Sequence, residues 1–166
     1  MRKATLCRTL VVGIGLALLL GSSATAGPDG DALIKFGLPG VWAADCAKPP
    51  SWANPHVTFA IRNGIPIRTV RINGSYETME MRNLLITAPD RLIYDLDGPS
   101  KESSYNMMVA KIGDEIRSHE TVRADGTAII KNGKFVASGE PTRLYQRCSH
   151  QVSAYEPIAA VNAAFD

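Results

Sequence analysis

The chain has 166 residues, 45% hydrophobic and 20% charged, the proportions of a folded domain rather than of a disordered or multi-span membrane protein. Its formal charge is +2, too near neutrality to call for nucleic acid. Three cysteines are too few for a disulfide-dense mini-protein.

The first 26 residues read as an export signal. Arg2, Lys3 and Arg8 precede an apolar run from Leu10 to Leu20, and Ala24-Thr25-Ala26 is a small-x-small cleavage site. The run is shorter than the roughly 20 residues a membrane span needs. Removing 26 of 166 residues leaves 140. Three of the 18 basic residues go with them, so 15 face 16 acidic ones and the charge becomes −1. No membrane span is expected after cleavage, and the location is periplasmic or secreted. Cys7 leaves with the signal, and Cys46 and Cys148 remain. In an oxidising compartment such a pair reads as one disulfide. Neither has a second Cys or His at metal-ligand spacing.

Residues 27–37 form a lead-in, with a helical turn expected over Asp29 to Phe36. From 38 to 148 the chain reads as a hairpin meander. Asn63-Gly64, Asn73-Gly74 and Asn132-Gly133 suit two-residue turns in which both central residues take positive φ. Asp125-Gly126 and Gly113-Asp114 are of related type. Ala88-Pro89-Asp90 and Gly98-Pro99-Ser100 add two breaks. Between them apolar residues recur every second position, the mark of a half-buried strand. Val57, Phe59 and Ile61 share one face, as do Leu92, Tyr94 and Leu96. Ile116, Ser118, Glu120 and Val122 are expected on another, and Phe135 and Ala137 on a shorter inward one. From Ser75 to Thr87 the phase breaks, which a bulge near Asn83 would reconcile. The expected fold is all-β. It is an antiparallel up-and-down meander of eight to ten short strands, closed or nearly closed into a barrel, with Cys46 and Cys148 pinning the seam. Residues 149–166 read either as a short helix, started by Pro157, or as a frayed tail.

Leu38-Pro39-Gly40-Val41-Trp42 opens the first strand. This Gly-x-Trp, followed by a meander, resembles the lipocalin and wider calycin barrels. The resemblance implies that Trp42 plugs the barrel base and that Arg147, or less well Arg143, packs over it. The strand region is shorter than a typical lipocalin, and no second lipocalin signature follows. Gly40 to Cys46, Asn54-Pro55-His56 and Arg147-Cys148 also resemble small exported proteins of Gram-negative bacteria. That resemblance implies no activity.

Catalytic signatures are thin. His56, His119 and His150 have no metal-ligand spacing, and no Gly-x-Ser-x-Gly elbow occurs. Asp95 and Asp97 share a strand face about 7 Å apart, a spacing a glycosidase could use but one ordinary for solvated acids. Arg62, Arg68, Arg71, Arg82 and Arg91 crowd thirty residues without a Lys. They read either as an anion-binding face or, preferred, as an outward face paired with Glu77, Glu80 and Asp90. Asn73-Gly74-Ser75 matches a glycosylation sequon and is equally explained as a turn. The leading expectation is non-catalytic binding of a small apolar or amphipathic ligand. Phe59, Met79, Met81, Tyr94 and Met107 would line its cavity, and no cofactor or metal is called for. The alternative is a protein-binding module or hydrolase inhibitor that uses the loop at Ser100, Lys101 and Glu102. An interior carrying an inward Arg would favour an anion instead.

Overall fold

The computed structural model of the protein describes residues 27–150. The expected export signal, residues 1–26, and the tail from 151 onward, expected as a short helix or frayed, lie outside them. The elements run α1 (Pro28–Phe36), β1 (Gly40–Ala43), β2 (His56–Arg62), β3 (Ile65–Ile72), β4 (Ser75–Ala88), β5 (Arg91–Asp97), a 3-10 turn (Lys101–Ser103), β6 (Tyr105–Ile112), β7 (Glu115–Arg123), β8 (Ala128–Lys131), β9 (Lys134–Phe135) and β10 (Gln146–Ser149). All ten strands join one antiparallel sheet in the order β10-β1-β2-β3-β4-β5-β6-β7-β8-β9. The all-β meander of the sequence reading is therefore present.

Three of its turns follow from side-chain chemistry. Asn63, Asn73 and Asn132 take φ of 52°, 49° and 52°, and the glycine after each is also positive. Such turns match the twist of the strands they join. Asn83, at φ 54°, marks the bulge in β4, where pairing to β5 slips between Arg82 and Leu85. The helix is tied to that bulge. Asp29 accepts hydrogen bonds from the backbone N–H groups of Asn83 (3.1 Å) and Leu84 (2.9 Å).

The lead-in is a nine-residue helix rather than a single turn. Pro28 begins it, Asp29 and Asp31 sit in its first turn, and Gly37 ends it in the left-handed conformation. The Gly37 N–H bonds Ile34 O and the Leu38 N–H bonds Leu33 O, which satisfies carbonyls that a helix end leaves open. Leu33 and Phe36 are buried and join Leu38, Trp42, Met81, Leu84 and Leu92 in the main core.

Two expectations about strand faces need correcting. In β7 the pairing passes from Val109–Ser118 to Met108–Glu120, so His119 is an extra, bulged residue. A one-residue insertion reverses the phase beyond it. Ile116 and Thr121 are therefore the buried positions, and Glu120 and Val122 are not. Phe135 is exposed, as is Ala137, because β8 and β9 extend past the part of the sheet that wraps the core.

The seam also differs in detail. β1 pairs with β10 as expected, with Trp42 opposite Arg147, and Cys46 is bonded to Cys148. Cys46 lies three residues beyond β1. The ladders do not close on themselves, for β9 and β10 are the two ends of the order. What approaches closure is one bridge. The Ile116 N–H bonds Tyr145 O (2.9 Å) and the Tyr145 N–H bonds Ile116 O (2.8 Å), so the residue preceding β10 touches the start of β7. The β8–β9 excursion occupies the rest of that edge, with β8 on Thr121 and Val122.

Candidate functional site

Register decides which side chains face inward. Phe59 stands opposite Arg68, Arg68 opposite Met79, and Tyr94 opposite Met107. Phe59, Tyr94 and Met107 are buried, so Arg68 belongs to the inner face. A pocket of about 40 Å³ opens there, lined by Arg68, Tyr94, Ser118, Arg117 and Tyr145 and by apolar groups such as Phe59 and Val57. Of the expected lining residues, Phe59 and Tyr94 border this pocket. Met81 and Met107 are core residues, and Met79 packs half-buried beside them. The preferred outward reading of the arginine run holds for four of its five members. Arg62 and Arg71 are exposed, Arg82 pairs with Glu80 and Asp97, and Arg91 pairs with Asp90. Arg68 departs from it, because residues on a strand face opposite sides by turns.

Two arginines, Arg68 and Arg117, line the pocket without a carboxylate, and a third, Arg143, acts on its Tyr145. Arg117 gives hydrogen bonds to Thr142 Oγ1 (3.1 Å) and Thr142 O (3.0 Å), and to Gly133 O. Arg143 bonds Trp52 O (3.0 Å) and acts electrostatically on Tyr145. Arg68 acts electrostatically on both Tyr94 and Tyr145. Among the described residues none of the three is ion-paired to an acid. Burial pushes the phenols of Tyr94 and Tyr145 above the usual tyrosine value, while the nearby guanidinium groups pull the other way. Both phenols are therefore neutral, with a proton to donate.

At the base, the Arg147 guanidinium lies 4.4 Å from the centre of the Trp42 ring and bonds Gly37 O. Its other nitrogen contacts His150 Nδ1 at 2.8 Å. Trp42 gives its indole N–H to Leu38 O (2.8 Å). The glycine two residues before Trp42 has a steric reason. A Cβ on Gly40 would sit 2.5 Å from Ser149 O, at a φ of +140°. Arg143 lies at the opposite end, beside Trp52.

In an up-and-down sheet alternate connections share an end. The 44–55 segment, the Asn73-Gly74 turn, the 98–104 loop and the 124–127 turn therefore form one rim. Hydrogen bonds from Asn73 N–H to Pro50 O and from Ala124 N–H to Ser104 O link it. The sequence singles out Cys46 and Asn54-Pro55-His56 in and beside the 44–55 segment but not Trp52. Asn54 is 5% exposed, and its amide takes the Asp45 N–H (3.0 Å) and gives to Asp45 O (2.9 Å) and Lys48 O (3.2 Å). Ser51 and Asn54 exchange two backbone bonds, which presents Trp52 at the tip with 75% of its surface exposed. On the 98–104 loop, the Ser100 N–H bonds Ser103 Oγ (3.0 Å), and Glu102 is exposed. Its carboxyl is held below the usual value by the Ser100 hydroxyl.

No protein-family model matches the chain, and no curated protein or solved structure matches it.

The other chemical candidates, His119 apart, have structural partners. His56 Nε2 contacts Lys48 O (3.0 Å). Asp95 takes the amides of Asn83 (2.8 Å) and Asn106 (2.7 Å), and Asp97 pairs with Arg82 (3.1 Å). His119 Nδ1 is buried without a partner. No group of three or more His, Cys, Asp or Glu among the described residues could hold a metal.

Proposed function

We propose that this protein is an exported, non-catalytic binding module that inserts Trp52 into an apolar pocket of a protein partner. The observation that carries the reading is Trp52 itself, three-quarters exposed on a loop that leaves its backbone little freedom. An exposed indole normally costs free energy in water, and Trp is enriched among residues that dominate binding energy. Order in the free loop lowers the entropy lost on docking. The Asn54 network, the Cys46–Cys148 bond and the Arg143 contact supply that order. The loop with Ser100, Lys101 and Glu102 shares the rim and offers a second contact. A hydrolase cleft is one pocket of the required shape.

Carriage of an apolar or amphipathic ligand is the weaker reading. Sites for such ligands measure about 300–1,000 Å³, several times the roughly 40 Å³ between the strands. Wider hollows of about 360 and 390 Å³ border the β6–β7 turn and the start of α1. Lys111, Asp114, Glu115 and Arg147 line the first beside Trp42 and Ile116, and Asp29, Glu80 and Arg82 the second beside Ile65, Pro66 and Met81, so both are charge-bearing hollows outside the strand interior. We read the sheet as a lipocalin-like barrel in which the β1–β10 pairing and the Ile116–Tyr145 bridge form the seam. The disulfide and the signal-like first 26 residues support export.

A photo-crosslinking side chain at position 53, with position 112 as control, tests the proposal in an extracytoplasmic extract. The captured partner is purified and titrated. Trp52→Ala is expected to weaken binding about 30-fold or more, the effect of a 2 kcal/mol hot spot. Equal binding by Trp52→Ala, or the same adduct from position 112, overturns it.

A further inference from the structure

The pocket behind Arg68 is lined on its polar side by groups that can all give a hydrogen bond. A guanidinium has five N–H donors and no acceptor, and neutral tyrosine and serine hydroxyls can donate. Arg68, Arg117, Tyr94, Tyr145 and Ser118 supply this lining, and no carboxylate side chain borders it. Arg143 adds a further cation at the Tyr145 hydroxyl. Arg117 is held in place by Thr142 and Gly133. Arg68 has no hydrogen bond or ion pair to any described residue. A half-buried guanidinium without a counter-charge is an unfavourable arrangement unless something acceptor-rich meets it. The remaining walls, Val57, Phe59, Val109 and Ile116, exclude water and strengthen any charge interaction beside them. The volume limits the guest. About 40 Å³ accommodates a few waters or an anion of a few atoms, and no hydrocarbon chain.

We infer that the inner face at Arg68, Tyr94, Tyr145 and Ser118 is a binding site for a small oxyanion, a phosphate- or carboxylate-class group. The Arg68 fork meets two oxygens side by side, as guanidinium groups do with carboxylate and phosphate. The tyrosine and serine hydroxyls take the remaining lone pairs. Arg143 touches both places, but the groups that would contact the anion do not include Trp52, and the two tests read different variants, so either proposal can fail alone.

The test is titration of the purified exported chain with inorganic phosphate, sulfate and acetate at constant ionic strength, with chloride as background. Amide NMR shifts and thermal unfolding are the readouts. A saturating shift centred on residues 68, 94, 118 and 145, with a midpoint that climbs with ligand concentration, is expected for at least one anion. A preference for phosphate and sulfate over acetate assigns a tetrahedral guest, and the reverse assigns a carboxylate. Arg68→Gln is expected to lose affinity at least tenfold, Arg68→Lys to retain part of it, and Arg62→Gln to bind as the unaltered chain does. Should the Arg68 variants not fold, Tyr94→Phe keeps the ring and removes one donor, and a several-fold loss is expected. Linear, unsaturable shifts with all three anions to tens of millimolar overturn the inference. So does equal loss in Arg62→Gln and Arg68→Gln, the signature of ordinary charge screening.

Discussion

Removing the disulfide, by Cys46→Ser with Cys148→Ser, tests how the seam is held. The bond joins residues 102 apart in sequence, so the closed loop contains 103. Chain-entropy arithmetic gives about 4.7 kcal/mol for a loop of that length. Near 140 residues each kcal/mol moves the melting temperature about 3 °C, so the double variant should melt roughly 15 °C lower. The β1–β10 pairing survives in the folded state, because Trp42, Arg147 and Gly40 hold the same register without the sulfurs. The loss should therefore come from the denatured chain, which expands once it is no longer tied. Calorimetry gives the midpoint, and urea unfolding gives the slope against denaturant. The slope should rise in the variant, since more surface is exposed when an uncrosslinked chain unfolds. A stability loss below about 1 kcal/mol with an unchanged slope refutes this reasoning. It would mean that the reduced denatured chain already keeps its ends together.

Gly40→Ala is expected to destabilise by at least about 1 kcal/mol from the backbone alone, and by more from the meeting of its Cβ with Ser149 O. Chemical denaturation measures the cost, and faster hydrogen exchange at Val41 and Arg147 would locate it at the seam. Tyr94 gives a pH prediction. Burial raises its folded pKa, so below about pH 10, the unfolded value, the phenol costs the fold nothing. Above it the unfolded chain ionises first and stability falls as pH climbs toward the folded pKa. Absorbance at 295 nm should show a phenolate phase that lags until unfolding, and Tyr94→Phe should remove Tyr94's share of it while Tyr145 keeps the rest.

The meander was legible because its signals are local. Asn-Gly pairs name their turns, and Leu92, Tyr94 and Leu96 name their face. Even the bulge at Asn83 showed as a break of phase. The bulge at His119 did not. Ser118, His119 and Glu120 are all polar, so an extra residue among them leaves no hydrophobic trace. Arg68 was misread for a related reason. Pro66 and Ile67 are both buried, and a strand start that is apolar on both faces does not reveal which side its arginine takes. Trp52 sits between Ser51 and Ala53 with no periodicity at all. Its exposure depends on Asn54, whose several hydrogen bonds reach residues up to nine positions back. The one sequence hint was a large aromatic just after Pro49-Pro50, in a stretch unsuited to either strand or helix. The open ladder was not legible because the dipeptide turn at Asn132 gave no sign that β9 stops after two residues.

The pairing of β1 with β10 also fixes an order of events. From β2 to β9 each strand pairs with its sequence neighbour, so those hairpins can form as soon as their own turns exist. β1 pairs with β2 along one edge, but its other edge must wait for residues about a hundred positions later, and such distant contacts are the slow ones. Until Gln146 to Ser149 arrive, one edge of β1 is open, Trp42 lacks the cation that covers it, and Cys46 is an unpaired thiol. A chain ending before Arg147 would thus form most of its hairpins and still present the raw edge and reactive sulfur of an unfinished fold. For this protein Gln146 to Ser149 act as the latch, and a free thiol at Cys46 would mark a chain whose seam has not formed.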